Sequence, residues 1–197
     1  MINRQKNSGA LGFTLIESVV VILILVIVSA VVVPSLFPAM RRSRLNACAE
    51  QVAAHIRYVR NVAMAGGAPA TGNMQIAFIT GATSNYEVRS CGTGTPFLTD
   101  PLDRTNTFDG TTNFRVGLGR PPIASTRPEF QFIQFDVAPA FLVFNAAGTP
   151  FTAVATCPAG ALTQLITAQE VRLSSAVGET RSIWVAPDTG SVIVQEP

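Results

Sequence analysis

Polar and apolar positions divide the chain into three regimes. From Phe13 to Val33, 21 residues are apolar almost without interruption, mostly Val, Ile and Leu. About 20 such residues span a bilayer as a helix, and a lone span in lipid must be helical because its backbone has to satisfy itself. Glu17 is the one charge between Phe13 and Met40. Further on, Leu45, Cys48, Ala49, Val52, Ile56, Val59 and Ala63 recur at spacings of three and four. Those positions form one apolar helix face, with Arg42, Asn46, Glu50, Arg57 and Arg60 mostly elsewhere. Gly66-Gly67 followed by Pro69 predicts where that helix stops. Pro34 and Pro38 each lack an N–H and crowd the carbonyl four residues back, which predicts a kink or a loosened turn.

Beyond Pro69 the period falls to two, and the pattern predicts strands. "MQIAFIT" (74–80) and "NYEVRSC" (85–91) flank a four-residue turn as a hairpin. "EFQFIQFD" (129–136) alternates and slips phase between Phe132 and Ile133, which predicts a bulge or a strand buried on both faces. "AFLVF" and "FTAVA" flank Asn145 to Pro150 as a second hairpin. "EVRLS" (170–174) follows, and "TRSIWVA" and "SVIVQ" flank Pro187-Asp188-Thr189-Gly190 as a turn. Residues 92–128, rich in Gly, Pro, Thr and Asp, read as a long loop region. The predicted class is α+β: a long N-terminal helix, transmembrane then amphipathic, packed on an antiparallel β-sandwich-like head.

The apolar run is longer than the 7–15 residues of a secretory signal core, and its small residues Gly9, Ala10 and Gly12 precede it instead of following it. A conventional cleaved signal therefore fits poorly. Arg4, Lys6 and the initial amine lie before the run, and Arg41, Arg42 and Arg44 lie after it, so charge bias does not orient the span.

Gly12-Phe13-Thr14-Leu15-Ile16-Glu17, with a short basic leader before it and the apolar run after it, resembles a type IV prepilin processing site. The resemblance implies cleavage between Gly12 and Phe13 by a membrane peptidase, and N-methylation of Phe13. It also implies a leader in the cytoplasm and everything after the span outside. Glu17 matches the acidic fifth residue of the mature chain, and Pro34 matches a proline common in these helices. On this reading residues 1–12 are a cleaved leader, 13–40 a transmembrane and filament-core helix, 41–66 an amphipathic helix on the head, and 67–197 a periplasmic head. Cleavage places a positive amine at Phe13, one turn from Glu17 on the same helix face. A neighbour's amine would offset the cost of a carboxylate at the rim of lipid, about 2.5–3.5 kcal/mol for a charge at the helix centre on insertion scales.

"RRSRLNACAEQVAAHIRYVRNVAMAGGAPA" and "FNAAGTP … EVRLSSAVGETRSIWVAPDTGSV" are similar to the GspH/FimT family of minor pilins and pseudopilins. The resemblance implies a non-catalytic assembly subunit of a type II secretion pseudopilus or a type IV pilus, anchored in the bacterial inner membrane. Its implied partners are other pilins or pseudopilins, the prepilin peptidase and the membrane. The alternative that the family offers is a DNA-binding minor pilin in DNA uptake.

Charge sharpens that choice. Loss of Arg4 and Lys6 with the leader leaves twelve basic and twelve acidic residues, a net of zero. Arg115, Arg120, Arg127, Arg172 and Arg181 could clamp phosphates, yet a neutral chain lacks the concentrated basic surface that strong phosphate binding needs. The family's DNA-binding members carry a Gly-Arg-x-Arg segment, where this chain has Gly178-Glu179-Thr180-Arg181.

Three cysteines, Cys48, Cys91 and Cys157, permit one disulfide in an extracytoplasmic head. Cys48 falls on the apolar helix face, so Cys91–Cys157 is the favoured candidate pair. His55 and Cys48 are about 10 Å apart along one helix and cannot form a nucleophile–base pair. His55 reads as a boundary residue beside the apolar face. No catalytic or phosphate-loop motif occurs. Asp100, Asp103, Asn106 and Asp109 lie in one loop without calcium-loop spacing and read as a solvated loop. No enzyme activity, metal or cofactor is expected.

Overall fold

A computed structural model of the chain describes residues 14–65, 73–81, 84–91, 114–118, 130, 133–155 and 161–195, with the side chains of Val31, Pro34, Ser35, Ser90, Phe114, Arg115 and Gly117 left aside. The fold is α+β, with one α-helix among the described residues and two antiparallel sheets. The chain divides into two compact units, Met1–Met40 and Arg41–Pro197.

Helix α1 is Leu15–Met64, 50 residues, and its backbone is helical without a break through Pro34 and Pro38. The interruption expected at these prolines does not end the helix. The expected stop at Gly66-Gly67 lies outside the described residues. Thr14 caps the start: its Oγ1 accepts the Glu17 N–H at 3.3 Å and its carbonyl accepts the Ser18 N–H at 3.2 Å.

The first sheet has six strands in the order β3-β2-β1-β5-β6-β7. They are β1 (Met74–Ile79), β2 (Asn85–Ser90), β3 (Phe114–Gly117), β5 (Phe141–Phe144), β6 (Pro150–Ala153) and β7 (Leu162–Gln164). The second sheet runs β10-β9-β8-β4, built from β4 (Ile133–Val137), β8 (Gln169–Ser175), β9 (Thr180–Val185) and β10 (Val192–Gln195). The hairpins expected at 74–91, 141–153 and 180–195 form, with Met74 opposite Ser90, Phe144 opposite Pro150 and Val192 opposite Val185.

One expectation needs correction, and one strand is an addition. Residues 92–128 are not all loop, because Phe114–Gly117 pairs with β2 as β3. The four-residue strand alternates too briefly to stand out from its Gly- and Thr-rich surroundings. Strand β7 is a further addition, hidden in the pattern for the same reason. Strand β4 has a register shift between Phe135 and Val137, against β8; the phase slip expected between Phe132 and Ile133 involves Phe132, which lies outside the described residues.

One core joins the lower half of α1 to both sheets. Leu45, Cys48, Ala49, Val52, Ala53, Ile56, Val59 and Ala63 are all buried. They share a cluster with Met74, Ile76, Leu142 and Phe144 of the first sheet and Val171, Leu173, Ile183 and Val185 of the second. The sheets also meet directly, where Phe135 stacks edge-on against Phe78 at 5.3 Å and Tyr86 at 6.1 Å between ring centres. Ser84 ties them further: its Oγ accepts the Phe135 N–H at 3.0 Å and its carbonyl accepts the Leu118 N–H at 2.7 Å. A smaller cluster of Cys91, Val143 and Ala153, with Phe141 and Phe151 against it, lies on the other face of the first sheet.

Candidate functional site

The first half of α1 is the region whose chemistry the core does not explain. Apolar residues fill consecutive positions from Val19 to Val28, so at 3.6 residues per turn they face every direction. All are exposed, as are Leu15, Ile16, Val32, Val33, Leu36, Phe37 and Met40; Leu15 is 82% exposed and Val26 60%. A helix that is apolar all round belongs in apolar surroundings. Among the described residues no helix is long and apolar enough to cross a membrane. Described side chains in this half run unbroken only from Thr14 to Ala30.

Polar groups in this half are few and are handled locally. Ser29 Oγ donates to the Leu25 carbonyl at 2.6 Å, which hides the hydroxyl against the helix itself. Glu17 is exposed and is the acidic residue of the first turn, where the helix macrodipole favours negative charge. Thr14 and Glu17 have the spacing of a capping box, in which the first hydroxyl satisfies an otherwise orphaned amide three residues on. The cap is legible in Thr14-Leu15-Ile16-Glu17, a signal that pairing Glu17 with the Phe13 amine leaves aside.

The remaining expected site residues are placed unevenly. Gly12 and Phe13 lie outside the described residues, so the processing site has no described geometry. Pro34 is on the helical backbone, with its side chain not described. Cys91 is disulfide-bonded and buried, and Cys48 is a free, buried thiol; Cys157 lies outside the described residues. Burial pushes the Cys48 thiol far above its usual range, so it stays protonated and inert.

Polar contacts also hold the lower half of α1 to the head. Arg42 Nε donates to Glu179 at 2.9 Å, and Arg181 Nε donates to Asn46 Oδ1 at 2.5 Å. Arg57 Nη2 donates to the Val192 carbonyl at 3.0 Å. His55 is the correction here. It is 1% exposed instead of lying at a boundary, and its Nδ1 is 2.5 Å from the Tyr86 hydroxyl of β2. A buried imidazole costs stability unless it is hydrogen-bonded, and Tyr86 meets that need across the helix–sheet seam.

Of the arginines considered for phosphate binding, Arg120 and Arg127 lie outside the described residues, and only the backbone of Arg115 is described. Arg172 forms a fork with Glu170 at 2.9 and 2.8 Å and reaches Asp136 at 3.7 Å. Arg181 is held by Asn46. The Ser182 hydroxyl, donating to Glu170 at 2.6 Å, lowers the Glu170 pKa most; Arg172 lowers it further, against the opposing effect of burial. Asp100, Asp103, Asn106 and Asp109 lie outside the described residues. No group of three or more His, Cys, Asp or Glu able to hold a metal occurs among the described residues.

Comparison of the chain with known protein families, characterised proteins and solved structures returns no match.

Proposed function

We propose that this chain is a non-catalytic filament subunit: a minor pilin or pseudopilin that joins the initiating or tip complex of a type IV pilus or type II secretion pseudopilus. The observation that carries the proposal is the exposed apolar half of α1, opened by a capped first turn that bears a lone carboxylate. Support comes from the "GFTLIE" segment at the same place in the sequence. In this reading the peptidase cuts between Gly12 and Phe13 and Phe13 is N-methylated. The apolar half first crosses the inner membrane as a single span, with the leader cytoplasmic and the head periplasmic. It then leaves lipid by bundling with the same segment of neighbouring subunits.

Glu17 drives that transfer. In lipid its charge has no fixed partner, and in a bundle it meets the Phe13 amine of a neighbour. Pro34 lacks an N–H and so leaves one carbonyl of the packed segment without its helical partner. In the periplasm a Cys91–Cys157 bridge fastens the head.

The test is Glu17→Ala in cells that carry the assembly machinery. The variant is cleaved and folded, and its incorporation into filaments falls at least tenfold. Mass spectrometry of the membrane-extracted protein reads a mature chain that starts at N-methylated Phe13. Wild-type incorporation of the variant overturns the charge-pairing mechanism, and an uncut Met1 terminus overturns the processing.

A further inference from the structure

Sheet edges offer unpaired backbone groups to other chains, and proteins blunt them with charges, bulges or covering side chains. Among the described residues the two sheets have four edge strands, β3, β7, β4 and β10. Strand β3 has a charged residue, Arg115, in its sequence. Two others are blunted in the structure. Strand β4 carries Asp136 and a register shift, and its Phe135 amide is taken by Ser84. On β10 the Val192 carbonyl is occupied by Arg57.

Among the described residues strand β7 has no such device. It is Leu162-Thr163-Gln164, with every side chain exposed. No charged residue occurs anywhere from Val137 to Gln169. Beside the strand, Ile166 is 89% exposed.

The backbone phase of this edge can be read from its neighbour. The Leu165 amide donates to the Pro150 carbonyl at 3.2 Å, so Leu165 points its backbone groups inward to β6. Phe151 opposes Gln164, Thr152 opposes Thr163 and Ala153 opposes Leu162. Inward and outward positions alternate along an antiparallel strand. Thr163 therefore bonds inward, and Leu162 and Gln164 turn their N–H and C=O groups to the free edge.

We propose that β7 is a docking edge for a second copy of this chain, paired β7 to β7 in antiparallel fashion about a two-fold axis through Thr163. That register is self-complementary. Leu162 of each copy faces Gln164 of the other, and both positions direct donor and acceptor outward, which gives about four hydrogen bonds. Thr163 faces its own counterpart. A register centred on Leu162 or Gln164 would oppose outward groups to outward groups only at the centre itself and would push one end of the strand past its partner. Neutrality matches as well, since the segment from Val137 to Gln169 that holds β7 carries no charge in either copy. The Phe141, Phe151 and Ala153 surface beside Leu162 and Gln164 continues across the axis. With only three residues paired on each side, the association is weak and depends on concentration. It does not rest on the processing or filament reading.

The test uses the full chain in detergent, carrying Thr163→Cys. Facing residues of a non-hydrogen-bonded antiparallel pair have Cα atoms about 4.5 Å apart, within disulfide reach. Thr152→Cys, on the same sheet face one strand inward, reports chance encounters within a micelle. Under a mild oxidant Thr163→Cys forms a covalent dimer at least tenfold faster than Thr152→Cys. Adding Gln164→Pro, which removes one outward donor and leaves the β6 ladder intact, reduces the rate to that of Thr152→Cys. Equal rates for the two cysteine variants, or a rate untouched by Gln164→Pro, overturn the proposal.

Discussion

The two halves of α1 share a secondary structure and differ in every other respect. From Arg41 onward most apolar side chains share one face, and that face from Leu45 to Ala63 is buried, with Ile56 and Val59 fully enclosed. Before Arg41 the described ones occupy all faces and are exposed. The lower half is folded by this chain's own sheets, and its helix is one wall of a core. In the upper half the described apolar side chains are exposed, so their surface is a statement about their surroundings. Hydrophobicity alone does not separate the two; its angular distribution does.

Truncation of one side chain in each half breaks or confirms this comparison most directly. Ile56→Ala removes buried atoms and leaves a cavity, at a cost of about 2–5 kcal/mol. Thermal unfolding of the head in detergent reads this as a Tm lowered by several degrees, whereas Val26→Ala leaves that Tm unchanged. Equal shifts would show that the upper half is part of the same cooperative unit.

A smaller effect sharpens the contrast at the start of the helix. Thr14→Ala removes the oxygen that receives the Glu17 amide, at a local cost of about 0.5–2 kcal/mol. Hydrogen exchange quickens at Ile16 to Ser18, and the head's unfolding does not move. Thr14→Ser keeps the oxygen and restores protection.

The smallest effect lies on the face of the second sheet that carries Glu170, Arg172 and Ser182, where stability comes from charge instead of burial. Glu170 is held below the usual carboxylate range, first by Ser182 and then by Arg172. A carboxyl lowered in the folded state contributes stability above its unfolded value, about 4.3, and loses it as pH falls through the folded value. The Tm of the wild type therefore drops more steeply than that of Glu170→Gln as pH is lowered below about 4.3. Parallel pH profiles would remove Glu170 from the account.

Much of this architecture is written in local pattern. The helix face from Leu45 to Ala63 follows from spacings of three and four, and the three hairpins follow from alternating runs around Gly-, Asn- and Pro-rich turns. Strands β3 and β7 are not legible. Each is too short to carry a period, and each exists because a neighbouring strand offers it a ladder. His55 is misplaced by its sequence because a lone histidine at the border of an apolar stripe gives no hint of Tyr86, 31 residues away, that lets it go inside. For the candidate site, the apolar half and Glu17 are plain in the sequence. Thr14 is overlooked when a helix start is read for its charges and not for its leftover amides.

Near the lower end of α1, the turn between β5 and β6 meets the turn between β9 and β10. A methyl group built on Gly190 would lie 2.6 Å from the Gly148 carbonyl oxygen, and one on Gly148 would lie 2.7 Å from the Met64 sulfur. Gly148 and Gly190 also have positive φ, 76° and 64°, which side-chain-bearing residues rarely adopt. These two bends come from different sheets, yet neither has room to drift without the other. Loop grafting, epitope tags and lengthening therefore have no foothold at this junction, and the outlying bend at Gly178, where an added methyl meets nothing within 4 Å, is the better place to decorate the head.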